Sequence, residues 1–457
     1  MAEPIFIRAL QRPGKGEKVY RLTEEEIAEI LRVRSGSGTC ASIELDPGMG
    51  GANPKVIREW IQGGALITSV DFMLTKRCNF RCEYCFAEAG LSKEKLPFEL
   101  LERAIEEGPS VGVRVFVLTG GEPLMFRDRG KTFFDVVGQI RDVYAKGGRP
   151  VGISTFSDVA LITRERAQML YDHGVALCLK RDSLDAQVQD RLVGIRGGMA
   201  KMEAGYENLF KAGYGRPGSP PISVNSVLNA DTMTGMVDLH RWVRRHGMEH
   251  SIVPVHYCGN ATSDNQEEGI HAVHVKVLYD IVAEIDAQEF NDPWRAYSAF
   301  PKNKTCNRNI SGVHVRSNGM VTACSESPPM EDYVFGNLHE TTLGAIARSE
   351  KLRYYRQEFA RGHGEYICNP EVCDLNANDL CRGGCATRSA YSRIDPVTGL
   401  IVANTNPKSY SERREDPLCP GWVMLAKMQG VLRPGLEEQI RETFLGKRLS
   451  QGESCRP

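Results

Sequence analysis

The chain has 457 residues, long enough for two domains or one enlarged barrel. Its 57 Lys and Arg against 58 Asp and Glu leave a formal net charge of -1, which provides no global field to recruit nucleic acid or an anionic membrane. Hydrophobic residues at 41% and charged residues at 25% are the proportions of an ordinary folded protein, not a disordered one. The opening MAEPIFIRALQRPGKGEK lacks the apolar region of a secretion signal, and no stretch reaches the roughly 18 apolar residues of a membrane span. The expectation is a cytoplasmic protein with neither nucleic acid nor membrane among its partners.

Residues 1–64 read as an N-terminal extension with one helix signal, Thr23 ahead of Glu24, Glu25 and Glu26 and then Ile27, Ile30 and Leu31. From residue 65 to about 290, six short apolar runs follow: ALITSVDFML, VRVFVLTG, PVGIST, VALCLK, PISVNSVL and SIVPVH. Segments such as LLERAIEEG, FFDVVGQIRDVYAKGG and RERAQMLYDHG, each long enough for a helix, separate them. This alternation predicts an α/β domain, a parallel sheet curled into a partial (β/α)6 barrel. Gly147, Gly174 and Gly213 sit where left-handed helix ends are wanted. Residues 300–425 change to short strands, turns and cysteines, which predicts a cysteine-rich cluster-binding module, and residues 426–457 read as a C-terminal tail helix.

The 14 cysteines are too sparse for a disulfide scaffold, and they cluster. Cys78, Cys82 and Cys85 follow the first strand signal, where a barrel places an active-site loop. At i, i+4 and i+7 they would share a helix face as buried core thiols. Their neighbours Lys76, Arg77, Asn79, Arg81 and Glu83 are polar and loop-like instead. Zinc would want a fourth Cys or His close by, and none follows within the loop. Three thiolates suit a [4Fe-4S] cluster with one iron left open for another ligand.

The C-x3-C-x2-C loop LTKRCNFRCEYCFAEAG, with Tyr84 before its last cysteine, resembles that of the radical S-adenosylmethionine (SAM) superfamily. The resemblance implies that SAM binds the open iron, that one electron cleaves it, and that the resulting 5'-deoxyadenosyl radical abstracts hydrogen from a substrate. It extends to Gly120, Gly121, Glu122 and Pro123, similar to the family's GGEP turn at the SAM amino group, and to Asp182, Ser183 and Asp185 in LKRDSLD, similar to its SLD motif. Pro254 and Gly259 in SIVPVHYCGNA resemble the sixth-strand pattern beside adenine. Two departures stand out. The third strand run ISTFSD has Ser154, Thr155 and Ser157 but no Asn-Gly turn, and QDRLVG has Val193 where arginine is frequent, so Arg191 or Arg196 is left to hold the SAM carboxylate.

Cys306 and Cys324 with Gly319 between them, then Cys368, Cys373, Cys381 and Cys385, then Cys419 in DPLCP resemble the SPASM extension of that superfamily. Carried over, Cys306, Cys324 and Cys385 would hold a first auxiliary [4Fe-4S] cluster, and Cys368, Cys373, Cys381 and Cys419 a second. Zinc-ribbon ligation is the alternative for these cysteines. The spacing C-x4-C-x7-C-x3-C is wider than the family's C-x2-C-x5-C-x3-C. A frequent extra cysteine ahead of the first is missing from SAFPKNKT, leaving an open iron, a noncysteine ligand or distant Cys258. Cys40, Cys178 and Cys455 read as buried or unligated thiols.

The resemblance implies an oxidoreductase of natural product biosynthesis, fed by an electron donor such as flavodoxin or ferredoxin. Its first reading is maturation of a ribosomally made peptide. The alternatives are dehydrogenation, dehydration or epimerisation of a sugar or other small polar molecule, and a non-enzymatic iron-sulfur or zinc protein, which would need no GGEP-like turn. Asp158, Lys180, Asp182, His256 and Tyr257 lie near strand ends, but the sequence assigns no catalytic acid or base.

Overall fold

The six apolar runs become the six strands β1 (Ser69–Met73), β2 (Val115–Thr119), β3 (Gly152–Ser157), β4 (Ala176–Lys180), β5 (Ile222–Leu228) and β6 (Glu249–Pro254). Strands of a parallel sheet are covered on both faces, so they read as continuous apolar runs, and every residue of β1 and β2 is buried. The computed structural model describes residues 16, 18, 45–46, 51–52, 59–261, 270–291, 311–361, 371–377, 385–395, 401–404, 417, 419, 423 and 435–445. The helix expected at Thr23–Leu31 lies outside the described residues.

Each strand pairs in parallel with its sequence neighbour, giving the order β6-β5-β4-β3-β2-β1. The connections carry α1 (Phe98–Val111), α2 (Phe133–Lys146), α3 (Arg164–Asp172), α4 (Ala186–Leu192), α5 (Gly198–Ala212) and α6 (Met236–Arg245), and α7 (Ala272–Glu289) follows β6. Gly213 ends α5 in the left-handed conformation at φ 113°. Gly147 does not, having φ -90°, and the left-handed residue after α2 is Gly148.

β6 does not pair with β1, so the barrel stays open. The far edge of β1 is taken instead by β7 (Gly312–Val315), in parallel, followed by antiparallel β8 (Met320–Thr322) and β9 (Val334–Asn337). The barrel and the start of the C-terminal module therefore share one nine-stranded sheet. Buried side-chain contacts fix this seam, with Thr68 Oγ1 2.5 Å from Ser311 Oγ and His314 Nδ1 3.3 Å from Asp71 Oδ2. Beyond it lie α8 (Glu350–Arg361), α9 (Ala386–Tyr391) and α10 (Leu436–Phe444); α10 buries Ile440 and Phe444 and packs on α7.

The core lies between sheet and helices. Phe72 and Phe116 stack at 6.0 Å and Tyr144 meets Phe116 edge-on at 5.6 Å, its hydroxyl donating to Val113 O at 2.8 Å. Truncating such a buried ring to alanine costs about 3–5 kcal/mol.

Candidate active site

The loop after β1 is held by the backbone of its neighbours, not by a helix of its own. Cys78 N donates to Gly90 O at 2.7 Å and Arg81 N to Val193 O at 2.8 Å, while the Arg81 guanidinium donates to Cys78 O and Phe80 O at 2.8 and 2.6 Å. Asn260 Nδ2 reaches Cys82 O at 3.2 Å from the turn after β6. Cys78, Cys82 and Cys85 thereby line a cavity of about 280 Å3 at the C-terminal ends of the strands. That is close to the lower bound, roughly 300 Å3, of pockets that enclose small ligands. Cys324 and Cys385 from the C-terminal module line the same cavity.

Gly120 and Gly121 form its floor, and side chains there have no room. A Cβ on Gly121 would stand 2.4 Å from Arg77 O and 2.9 Å from the Cys78 Cβ, and one on Gly120 would stand 2.4 Å from Thr75 O. The two glycines let the turn after β2 press against the cysteine loop. Glu122 is buried behind them, accepting from Leu124 N at 3.0 Å, Ser157 Oγ at 3.0 Å and Asp158 N at 2.8 Å. Asp158 accepts from Ala160 N at 3.0 Å and lines the cavity with its Oδ2 3.8 Å from Cys78 Sγ. Burial raises both carboxyl groups, and the charge of Asp158 raises Glu122 further. Asp158 alone of the two reaches the cavity wall, where a cationic partner would favour its charged form.

Tyr84 lines the cavity, its hydroxyl donating to Asp182 at 2.5 Å, with Lys180 Nζ 4.7 Å above its ring and 2.8 Å from Asp182 Oδ1. Burial, then the charge of Asp182, pushes the Tyr84 hydroxyl well up, so it stays a donor. The other positions taken from the SLD resemblance do local structural work. Asp182 is fully buried and accepts from Val227 N at 2.8 Å, Ser183 Oγ accepts from Asp185 N at 3.0 Å, and Asp185 caps α4 through Gln187 N and Val188 N. Arg191 is exposed in a pair with Asp231 at 2.7 Å, and neither it nor exposed Arg196 lines the cavity. Lys180, His256 and Arg388 are the basic side chains that do. Ser154 is buried within β3 and Pro123 begins the short turn after Glu122, both off the cavity wall, whereas Pro254 lines it.

Cys373 is buried and Cys419 partly exposed, and neither lines the cavity; Cys306, Cys368 and Cys381 lie outside the described residues. Burial, then the charge of Asp158, pushes the Cys78 thiol up, and burial with the charge of Cys85 does the same at Cys82. Such thiols ionise readily only when a metal shares the charge. Among the described residues no three Cys, His, Asp or Glu side chains converge tightly enough for one metal ion. The three loop thiols line one cavity, and three cysteine donors without a fourth suit a [4Fe-4S] cluster with one open iron.

The family model of the radical SAM superfamily matches residues 72–245, and that of the SPASM domain, an iron-sulfur cluster-binding domain, matches residues 306–383. The chain carries a radical SAM domain followed by a SPASM domain. A radical SAM domain takes SAM and a [4Fe-4S] cluster, and a SPASM domain takes auxiliary iron-sulfur clusters. Similar curated proteins include a GTP 3',8-cyclase of Microcystis aeruginosa, 32% identical over 35% of this chain and 49% of that protein. GTP 3',8-cyclase 1 of Pseudomonas aeruginosa is 32% identical over 39% and 53%. The chain spans about half the length of the curated relatives it matches. Among solved structures, anSMEcpe with bound AdoMet and Cp18Cys peptide matches with a TM-score of 0.56 at 14% identity, over 82% of this chain and all but 1% of that one, from 99% coverage. Streptococcus suis SuiB bound to precursor peptide SuiA matches at 0.56 and 14%, over 85% and 87%. At that identity the likeness is one of fold.

Two features of the site had weak sequence signals. Asp158, named in the sequence only as lying near a strand end, meets Glu122 from 36 residues away. His256 Nδ1 lies 2.6 Å from Glu326 Oε2, joining the turn after β6 to the turn of Cys324 across 70 residues, and nothing local announces it.

Proposed function

We propose that the chain is a radical SAM oxidoreductase that removes hydrogen from a ribosomally made peptide and passes the remaining electron to its C-terminal clusters. The observation that carries this reading is the single cavity walled by Cys78, Cys82 and Cys85 on one side and by Cys324 and Cys385 on the other. An acceptor beside the site of hydrogen removal suits an oxidation. Bound there, the [4Fe-4S] cluster and SAM supply reductive cleavage of SAM and hydrogen abstraction from the substrate.

The chain's own residues hold and shield that chemistry. Cys78, Cys82 and Cys85 would hold the cluster through three of its irons. The Gly120–Gly121 backbone admits SAM closely, and Glu122 with Asp158 attracts its ammonium group. Lys180, which lines the cavity where Arg191 and Arg196 do not, would be a cation available to the SAM carboxylate. Phe80, Phe86, Ala87, Val253 and Val255 give the wall its apolar surface and exclude water. Flavodoxin or ferredoxin supplies the electron, in the cytoplasm; among the described residues no helix is long and apolar enough to cross a membrane.

The peptide substrate is supported by the bound peptides of the anSMEcpe and SuiB structures that share the fold. A second reading, a small polar molecule, is supported by the GTP 3',8-cyclases among sequence relatives and by the polar wall of Lys180, Asn225, His256, Glu326 and Arg388. Anaerobically reconstituted protein given SAM, a reductant and deuterated candidates from each class tests both. Deuterium carried from a peptide into 5'-deoxyadenosine supports the first reading; transfer only from a nucleotide or sugar replaces it with the second.

A further inference from the structure

The segment after the cysteine loop carries the most exposed large apolar side chain among the described residues, Leu91, at 81%. Its backbone is fixed. Leu96 N donates to Leu74 O, Lys76 N to Glu94 O and Gly90 N to Lys76 O, each at 2.9 Å, and Gly90 O accepts from Cys78 N at 2.7 Å. Leu91 is thus one residue and one hydrogen bond from the backbone of a loop cysteine.

Cations follow it. Lys95 Nζ donates to Arg127 O at 3.1 Å, which joins Lys93 and Lys95 to the hairpin of Arg127–Asp128 and Lys131–Thr132. Lys93, Arg127, Arg129 and Lys131 are exposed. The acids between them turn inward: Asp128 is buried and accepts from Phe98 N at 2.9 Å, and Glu94 accepts from the buried Ser317 hydroxyl. Among the described residues neither Lys93 nor Arg127 has an ion-pair partner. In a chain of net charge -1 this is a local basic face, and none of its side chains lines the cavity. A lone exposed leucine needs no explanation, and a charged face is ordinarily only solvated. Here the two coincide on the segment bonded to Cys78.

We propose that Leu91 with Lys93, Lys95, Arg127, Arg129 and Lys131 docks a small acidic one-electron carrier that reduces the barrel cluster. The inference rests on the reading of Cys78, Cys82 and Cys85 as the site of that cluster, fed by flavodoxin or ferredoxin. Opposite charge steers such encounters, and a small contact area suits a brief association. Two copies of one basic face repel, which disfavours a symmetric dimer there. The carrier loses one electron and the cluster gains it, with no bond made and no atom transferred. Because the face lies outside the cavity, SAM and substrate stay bound while the carrier comes and goes.

The test measures binding of an acidic plant-type ferredoxin to the anaerobically reconstituted full chain by calorimetry at several salt concentrations. Beside it, 5'-deoxyadenosine formation is driven either by reduced ferredoxin or by dithionite. Lys93→Glu with Arg127→Glu reverses the face, Leu91→Ser removes its apolar contact, and Lys146→Glu with Lys211→Glu makes the same charge change in the last turns of α2 and α5. The face reversal should weaken ferredoxin binding by about tenfold at low salt, with the difference shrinking as salt rises. Leu91→Ser should weaken binding at every salt concentration, and the remote pair should leave it unchanged. Dithionite-driven cleavage at the wild-type level in all variants shows the barrel site intact. Ferredoxin binding absent from wild type, or equal in the two charge-reversed variants, would overturn the proposal alone, as would a wild-type dimer that the face reversal splits. No cleavage by wild type even with dithionite would overturn the reading of the cysteine loop and the proposal with it.

Discussion

The two cysteine-bearing regions are built differently. The barrel loop of Cys78, Cys82 and Cys85 is fixed by backbone hydrogen bonds to β-strand neighbours, to the turn after α4 and to the turn after β6, and it rests on a buried sheet. The module places its cysteines on small pieces. Cys324 lies in a turn closed by Ser327, Cys373 precedes the four-residue helix Asp374–Ala377, and Cys385 precedes six-residue α9. Elements that short have little cooperative stability of their own. The barrel loop is thus held by a hydrogen-bonded frame, whereas these short pieces of the module are expected to draw part of their folding energy from bound metal.

That contrast can be broken most strongly at the barrel ligands. Cys78→Ala, Cys82→Ala and Cys85→Ala should each reduce 5'-deoxyadenosine formation to background, measured chromatographically after anaerobic reconstitution. Next in size, stripping iron with a chelator should open residues 300–425 to protease while leaving 65–261 resistant, read by mass spectrometry of the fragments. Equal resistance in both regions would remove the contrast. Gly121→Ala forces a Cβ to within 2.4 Å of Arg77 O and must move the turn or the cysteine loop. A displacement near 1 Å in an active site costs about 100-fold, so SAM cleavage should fall by about that factor with barrel folding retained.

The smallest effect concerns stability. His250 is buried, bonded to Ser226 Oγ at 2.8 Å and next to His240, and burial followed by the His240 charge holds its pKa well below the usual value. The unfolded chain takes up a proton there below about pH 6.5 that the folded chain refuses. Stability therefore falls as pH drops below about 6.5, by at most ~1.4 kcal/mol per pH unit for one site. Denaturant midpoints at pH 7.5 and 5.5 should differ less in His250→Asn than in wild type.

The barrel was legible because parallel strands leave uninterrupted apolar runs, and the cysteine loop because its spacing is local. The join of β7 to β1 was not, since it pairs residues more than 240 apart and neither edge carries a sequence mark of its partner. At the site, motif resemblance outweighed local chemistry. Asp185 followed by Ala186-Gln187-Val188 is a helix-cap signal, and the structure uses it so. Arg191 is the polar face of a short helix, and it pairs outward with Asp231. Lys180 and Asp158 were in view as strand-end residues, but the contacts of Lys180 with Tyr84 and of Asp158 with Glu122 and Cys78 join distant loops and could be found only in three dimensions.

The central claim is that one cavity houses SAM cleavage beside an electron acceptor. Replacing Cys324 and Cys385 together, the module's cysteines on the cavity wall, separates the two functions. With the barrel loop intact, 5'-deoxyadenosine should still form while oxidised substrate product is suppressed, provided residues 300–425 keep their protease resistance. A folded variant that makes full oxidised product would contradict the account and turn the reaction toward a redox-neutral one such as epimerisation.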